Sequence, residues 1–290
     1  MTPAQLRVLV AVADHSSFSR AAAELGQTQP YVSRTIRALE DAFGAPLFVR
    51  AATGVALTEL GREALRRARS ALRELDGLRQ IAVESGTHLR GTLKVGAPPS
   101  LANWPLPKIL GPLRRRYPDL AIRTFEGDPP ELRTWLEDGV LDVALATRPV
   151  AGWTWTALVE EEFVVVGPWP ESARSMAIPM TEIATEPLVL SSCGIERVLG
   201  EDFAREGLSL RVAHRSRSYS TIFAMVEEGL GLTILPKSIA LFAPAQLSER
   251  PIANGPTRTI GVLSPAAPSR PISAFMMQAE GITTRHRDEL

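Results

Sequence analysis

Apolar residues in the first ninety positions return at intervals of three and four, the period of a helix with one buried face. Thr2-Pro3-Ala4-Gln5 is a capping box, with proline in the first turn behind a threonine N-cap. Leu6, Leu9, Val10 and Ala13 then share a face. Ser17 caps a second short helix through Phe18, Ala21, Ala22 and Leu25, and Gly26 ends it. Thr28 caps a third, whose buried stripe is Val32, Ile36, Leu39 and Phe43, closed by Gly44. Leu47-Phe48-Val49 and Val55-Ala56-Leu57 are short extended runs around Ala51-Ala52-Thr53-Gly54, which predicts a β-hairpin. From Thr58 a long helix runs with no proline before Pro98. Leu65, Ala68, Leu72 and Leu75 form a heptad-like seam on it, continued by Leu78, Ile81 and Ala82. Such a seam on an arginine-rich helix predicts pairing with a second copy; a core helix packed on its own domain shares the pattern. Ser85-Gly86-Thr87 and Gly91 read as a hinge.

Beyond residue 91 short apolar runs alternate with amphipathic ones. Residues 93–96, 120–125 and 141–146 read as strands, separated by helices over 109–117 and 131–138. That order predicts a parallel sheet covered by helices. A second set begins with a strand at 163–166 and continues with strands at 187–190, 210–212 and 232–235. Helices at 196–206 and 220–228 alternate with them. Leu241-Phe242 and residues 259–263 are further strand candidates, and 272–279 reads as a last helix. Two α/β halves leave a cleft between them, and ligands of open α/β sheets bind at the carboxyl ends of strands. The turns there carry Pro99 and Ser100, Gly127 and Asp128, Thr147 and Arg148, and Ser191, Ser192, Cys193 and Gly194. Arg148 follows an apolar strand, so its guanidinium could hold a carboxylate bidentately or pair with a neighbouring acid.

The third helix carries the clearest chemistry. Opposite its buried stripe lie Gln29, Ser33 and Arg37, spaced by four, with Arg34 beside them and Tyr31 near the start. Glutamine can contact adenine bidentately, and arginine guanine or phosphate. Serine near a helix N-terminus suits a phosphate. Two helices crossing at a tight glycine turn, the second exposing such residues, make a helix-turn-helix. An ordinary solvated face would have the same composition.

Total charge gives no hint of a polyanionic partner, and its distribution leaves this reading open. The 290 residues hold 32 Lys plus Arg and 32 Asp plus Glu, a net charge of zero. Divided, residues 1–90 hold 12 basic against 9 acidic residues, and the remainder 20 against 23. Zero is thus the sum of a mildly basic and a mildly acidic part, so it does not exclude DNA. Hydrophobic residues make up 45% of the chain, enough for sizeable cores. The opening MTPAQLRVLV lacks the basic and apolar regions of a signal peptide, and no apolar run approaches the length that spans a bilayer. A cytoplasmic protein without membrane attachment is expected.

The pattern Ser17-Phe18-Ser19-Arg20-Ala21-Ala22, Leu25, Thr28-Gln29-Pro30, Val32-Ser33, Ile36, Leu39-Glu40, Gly44, Leu47-Phe48, Arg50, Leu57-Thr58 and Gly61 carries a resemblance. Residues 4–62 resemble the winged helix-turn-helix of LysR-type transcriptional regulators. Tyr117-Pro118, Leu141-Asp142 and residues 226–232 with Leu235-Pro236 are similar, more loosely, to the effector-binding domain of that family. The resemblance implies an α/β chain with an N-terminal all-α winged helix-turn-helix (1–58), a long linker helix with a hinge (59–90) and a periplasmic-binding-protein-like effector domain (91–290). That domain would have two α/β subdomains, one of residues 91–161 and 266–290, the other of 162–265. It implies a regulator that binds double-stranded promoter DNA, with RNA polymerase as a further partner. A small-molecule effector, such as an organic acid, would modulate it from the cleft. It implies a homodimer joined by the linker helix, or a homotetramer. By position, Ser17, Thr28, Gln29, Pro30, Tyr31, Ser33, Arg34 and Arg37 would face DNA, with Arg50 on the wing. Thr53 stands where the family often has a second arginine, and Tyr31 where it has a small or apolar residue.

Other chemistry is thin. The single cysteine, Cys193, excludes an intrachain disulfide. A loop thiol near Arg197 could have the lowered pKa a redox sensor needs; a passive small residue is the plainer role. His15, His88, His214 and His286 lack metal-ligand spacing, so neither metal nor cofactor is expected. The run Glu160-Glu161-Glu162 reads as a solvated edge before a strand, and Arg114-Arg115-Arg116 as a helix end where cations suit the dipole. No nucleophile elbow, P-loop or dinucleotide fingerprint is present, so an enzyme is not expected. The competing reading is an α/β small-molecule-binding protein or enzyme with a non-functional N-terminal domain.

Overall fold

A computed structural model describes residues 1–51, 54–82 and 89–286. Thr53 of the wing turn and the Ser85-Gly86-Thr87 hinge lie outside the described residues. One compact unit holds Met1–Gly91 with Thr134–Leu141, and the other the remainder.

The N-terminal helices form where local signals put them. Helix α1 (Pro3–His15) starts on the Thr2 and Gln5 capping box. Helix α2 (Phe18–Glu24) starts on Ser17, and α3 (Gln29–Phe43) on Thr28, closed by Gly44 in the left-handed conformation. A hairpin of β1 (Phe48–Ala51) and β2 (Gly54–Leu57) follows. Helix α4 (Glu59–Ala82) is the long helix. Val8, Leu9, Val12, Val32, Ile36 and Leu39 form the core. Leu65 and Ala68 belong to that same core, at 5% and 2% exposure. Their burial removes both from any face open to a second chain, which corrects the predicted seam. The α4 period served the domain's own core first, and Leu72 and Leu75, both half-buried, remain further along. The side chains of Leu78, Ile81 and Ala82 lie outside the described residues.

The second unit opens with β3 (Gly91–Ala97), α5 (Pro99–Asn103), α6 (Leu106–Arg116), β4 (Leu120–Glu126), α7 (Pro129–Glu137) and β5 (Val143–Ala146). Strand β6 (Thr154–Gly167) is the longest. Then come α8 (Met180–Ile183), β7 (Leu188–Ser191), α9 (Ile195–Arg205), β8 (Val212–Ser216), α10 (Tyr219–Glu227) and β9 (Thr233–Pro236). The chain ends with α11 (Lys237–Ala240), β10 (Ser248–Pro251), β11 (Thr257–Ser264) and α12 (Arg270–His286). The main sheet runs β10-β6-β11-β5-β3-β4, with β9 also on β6, and β7 pairs β8 in parallel. The sheet is mixed: β3 and β5 are parallel, whereas β6 runs antiparallel to β9, β10 and β11.

Strand β6 changes partners along its length. It pairs with β11 through Glu162, and with β9 from Phe163 and β10 from Val164 onward. Past that switch both its faces are covered. Phe163 and Val165 enter a core with Leu188, Leu190, Leu199 and Phe203, while Val164 and Val166 enter another with Val189, Ile222, Phe223 and Leu235.

Three expectations fail here. Glu160-Glu161-Glu162 lies inside β6, and Glu161 is buried at 1% exposure. Leu241 and Phe242 are no strand: they follow α11 in a turn, exposed at 60% and 59%. Strand β8 covers residues 212–216 instead of the apolar run 210–212, because its register is set by pairing with β7.

Gly61, in the first turn of α4, sits under the hairpin. Its N–H donates to Thr58 Oγ1 at 2.9 Å, and the Thr58 hydroxyl donates to Pro46 O at 2.9 Å. A Cβ added at Gly61 would lie 2.0 Å from the Leu47 carbonyl oxygen. Backbone cannot yield there without moving the hairpin, so Gly61→Ala should destabilise this unit by about 1–3 kcal/mol, read as an earlier urea midpoint.

Candidate functional site

Helix α3 buries Val32, Thr35, Ile36 and Leu39, and so must turn its other face outward. Gln29, Pro30, Arg34 and Arg37 are exposed there, Ser33 is half-buried, and Tyr31 is 37% exposed. Thr28 Oγ1 accepts from Tyr31 N at 3.4 Å, and Ser17 Oγ from Arg20 N at 3.3 Å. Each hydroxyl thus spends an acceptor site on a cap and keeps its proton to donate outward. Arg34 Nε donates to Pro30 O at 3.3 Å, which holds its stem along the helix.

Arg50 is exposed on β1. The hairpin's position relative to α3 is set by Glu40. Its Oε1 accepts from Leu47 N at 2.8 Å and Phe48 N at 3.2 Å. Phe18 packs edge-on against Phe48 at 6.0 Å, and Val55 N donates to Ser16 O at 3.1 Å. Glu40, Phe18 and Ser16 thus hold the hairpin beside the helices.

The second unit brings Ser100, Asp128, Ser191 and Cys193 together with three more: Tyr219 and Arg258, which the sequence reading passed over, and Glu161, which it placed on a solvated edge. Tyr219, in the first turn of α10, is the first. Its side chain lies beside Ser100 and Ser191, and burial pushes its pKa up. Arg258 is the second: its Nη1 donates to Ser100 Oγ at 2.8 Å. Its Nε donates to Glu161 Oε2 at 2.8 Å, and Glu161 is the third. Beside them Arg217 Nη2 lies 3.4 Å from Asp128 Oδ1 and 3.8 Å from Glu131 Oε2. Burial pushes the Cys193 thiol up, and the Asp128 carboxylate beside it adds to the rise. Arg197, the expected activator, pairs instead with Glu201 at 2.6 Å.

The other predicted cleft residues contribute less. Pro99 and Gly127 are buried, and Thr147 is half-buried. Ser192 is exposed, its N–H donating to Ser216 O at 3.1 Å. Arg148 is exposed, with no ion pair among the described residues. Periodicity gave no sign of Arg258 or Glu161. An acid inside a strand, opposite a basic residue in another, was the available signal. Among the described residues no three His, Cys, Asp or Glu side chains come together as a metal site, and no helix is long and apolar enough to cross a membrane.

A winged helix-turn-helix followed by a ligand-binding α/β unit defines a DNA-binding regulator. Comparison with known proteins gives the family. Residues 3–62 match "Bacterial regulatory helix-turn-helix protein, lysR family", and residues 86–280 match "LysR substrate binding domain". A Mycobacterium leprae protein named as a probable hydrogen peroxide-inducible genes activator is 35% identical over 82% of this chain and 79% of its own. The Escherichia coli DNA-binding transcriptional dual regulator OxyR is 30% identical over 97% of this chain and 94% of its own. The structure of a full-length OxyR variant from Pseudomonas aeruginosa superposes with a TM-score of 0.80 at 29% identity, covering 96% of this chain and 94% of that one. The chain belongs to the LysR family of bacterial transcriptional regulators. It is a DNA-binding transcriptional regulator with a substrate-binding domain, and not an enzyme.

A raised thiol pKa lowers the thiolate fraction at any given pH, and the thiolate is the reactive form. Iodoacetamide at pH 7 should therefore alkylate Cys193 several-fold more slowly than glutathione, with the rate climbing only above the ordinary thiol range. Asp128→Asn should speed the reaction; mass spectrometry of the intact chain reads both.

Proposed function

We propose that α3 reads promoter DNA through Gln29, Ser33 and Arg37, with Arg34, Tyr31 and the wing's Arg50 on the flanking phosphates. The observation that carries this is the exposed polar face of α3, opposite Val32, Ile36 and Leu39 and locked to the wing by Glu40. Residues 1–90 carry only three more basic than acidic side chains. Attraction per subunit is therefore mild, and tight binding comes from several copies acting together. In this reading the copies pair through α4 beyond Ala68, where Leu72 and Leu75 are half-buried. The regulator works in the cytoplasm, where its promoters are.

A small molecule in the cleft around Ser100, Ser191 and Tyr219 modulates that binding. The cations there are already matched, Arg258 by Glu161 and Arg217 by Asp128 and Glu131. This favours an uncharged polar effector over an organic acid. The M. leprae relative is named for hydrogen peroxide-inducible genes. In this chain the one cysteine has its thiol pushed up by burial, so Cys193 is read as a cleft lining and not as a peroxide-reactive thiolate.

A gel shift with the chain's own promoter tests the DNA surface. Gln29→Ala, Ser33→Ala and Arg37→Ala combined should weaken binding by a factor of ten or more, since a good bidentate base contact is worth about 1–3 kcal/mol. Arg50→Ala alone should lower the slope of log affinity against log salt by about 0.9, one phosphate contact. Retained affinity in the triple variant would contradict the assignment.

A further inference from the structure

The least expected feature of the second unit is an ion pair in its interior. Glu161 and Arg258 are register partners on β6 and β11. The Glu161 side chain is fully buried and that of Arg258 is 8% exposed. Arg258 Nε donates to Glu161 Oε2, and Nη2 lies 2.7 Å from the same oxygen without the angle of a hydrogen bond. The guanidinium also lies 5.9 Å from the Phe163 ring centroid.

Two further contacts extend the pair in opposite directions. Arg258 Nη1 donates to Ser100 Oγ in α5, which follows β3 of the sheet on one side of the β6 switch. Glu161 Oε1 accepts from Ser238 N in the first turn of α11 at 2.8 Å, and α11 follows β9 on the other side. Glu161 stands two residues before the point where β6 changes partners. The pair therefore sits at the crossing between the halves and touches both. Charges buried this completely are expensive to desolvate, and an apolar pair of similar volume would stabilise the fold as well. What an apolar pair cannot supply is direction: each bond here fixes a distance and an angle.

We infer that Glu161 and Arg258 act as the positioning couple of the cleft, holding Ser100 on one wall and α11 on the other at a set spacing. A ligand that donates to Ser100 Oγ then competes with Arg258 Nη1 for that oxygen, and the change reaches α11 through Glu161. This rests on the cleft reading proposed above.

Hydrogen exchange of the full chain, followed by mass spectrometry, tests the couple with two variants. Ser100→Ala removes one contact and leaves the ion pair, so the fold is retained. It should raise exchange in peptides covering both α5 and α11 by about fivefold, while peptides of β3 and β9 stay near wild type. Arg258→Lys keeps the charge but loses the fork, and should loosen the same two segments further. Exchange that rises in α5 alone, rises evenly throughout, or stays unchanged in Ser100→Ala would overturn the inference. Promoter affinity of the same variants is a separate reading. If α5 and α11 loosen together while promoter affinity holds, the couple stands and the cleft's regulatory role falls.

Discussion

A buried carboxylate opposite a buried guanidinium constrains everything around it. Neither Glu161 nor Arg258 can move without leaving the other unpaired in a dry environment, and breaking such a pair typically costs about 3–5 kcal/mol. Their strands must therefore hold register at that point. Strand β6 can change partners just beyond it because the strands before and after are already pinned. The same bonds fix Ser100 and the start of α11.

The N-terminal unit is held by a different kind of constraint. Three helices begin on hydroxyl caps, and the wing hangs from two backbone N–H groups on Glu40. Among the described residues no buried charge pair orients α3; the buried Arg69 pairs with Asp14 of α1. The apolar stripe of α3 orients it, and the exposed face follows as the complement. The exposed face of α3 is thus the outward half of a core-packing pattern, made of side chains that the core leaves free to vary.

Both units show why some candidate site residues were legible and others were not. Gln29, Ser33, Arg34 and Arg37 are within nine positions of one another, and helical spacing alone puts them on one face. The cleft residues after strands were legible one turn at a time: Ser100, Asp128, Ser191 and Cys193 do come together, but Arg148 stays apart in solvent. Leu65 and Ala68 had the period of a dimer seam and proved to be core. A period records that a face is buried and says nothing of what buries it.

Caps, helix periods and the order of strands are local quantities, set by residues a few positions apart. They were enough for the winged helix-turn-helix, the long helix and the α/β alternation. Glu161 and Arg258 are 97 positions apart, and Ser100 and Arg258 are 158 apart. Three consecutive glutamates read as a solvated edge because water is the default partner for charge. Only a strand folded back from far along the chain could offer Glu161 a guanidinium instead. That partner turned a surface acid into the centre of the second unit.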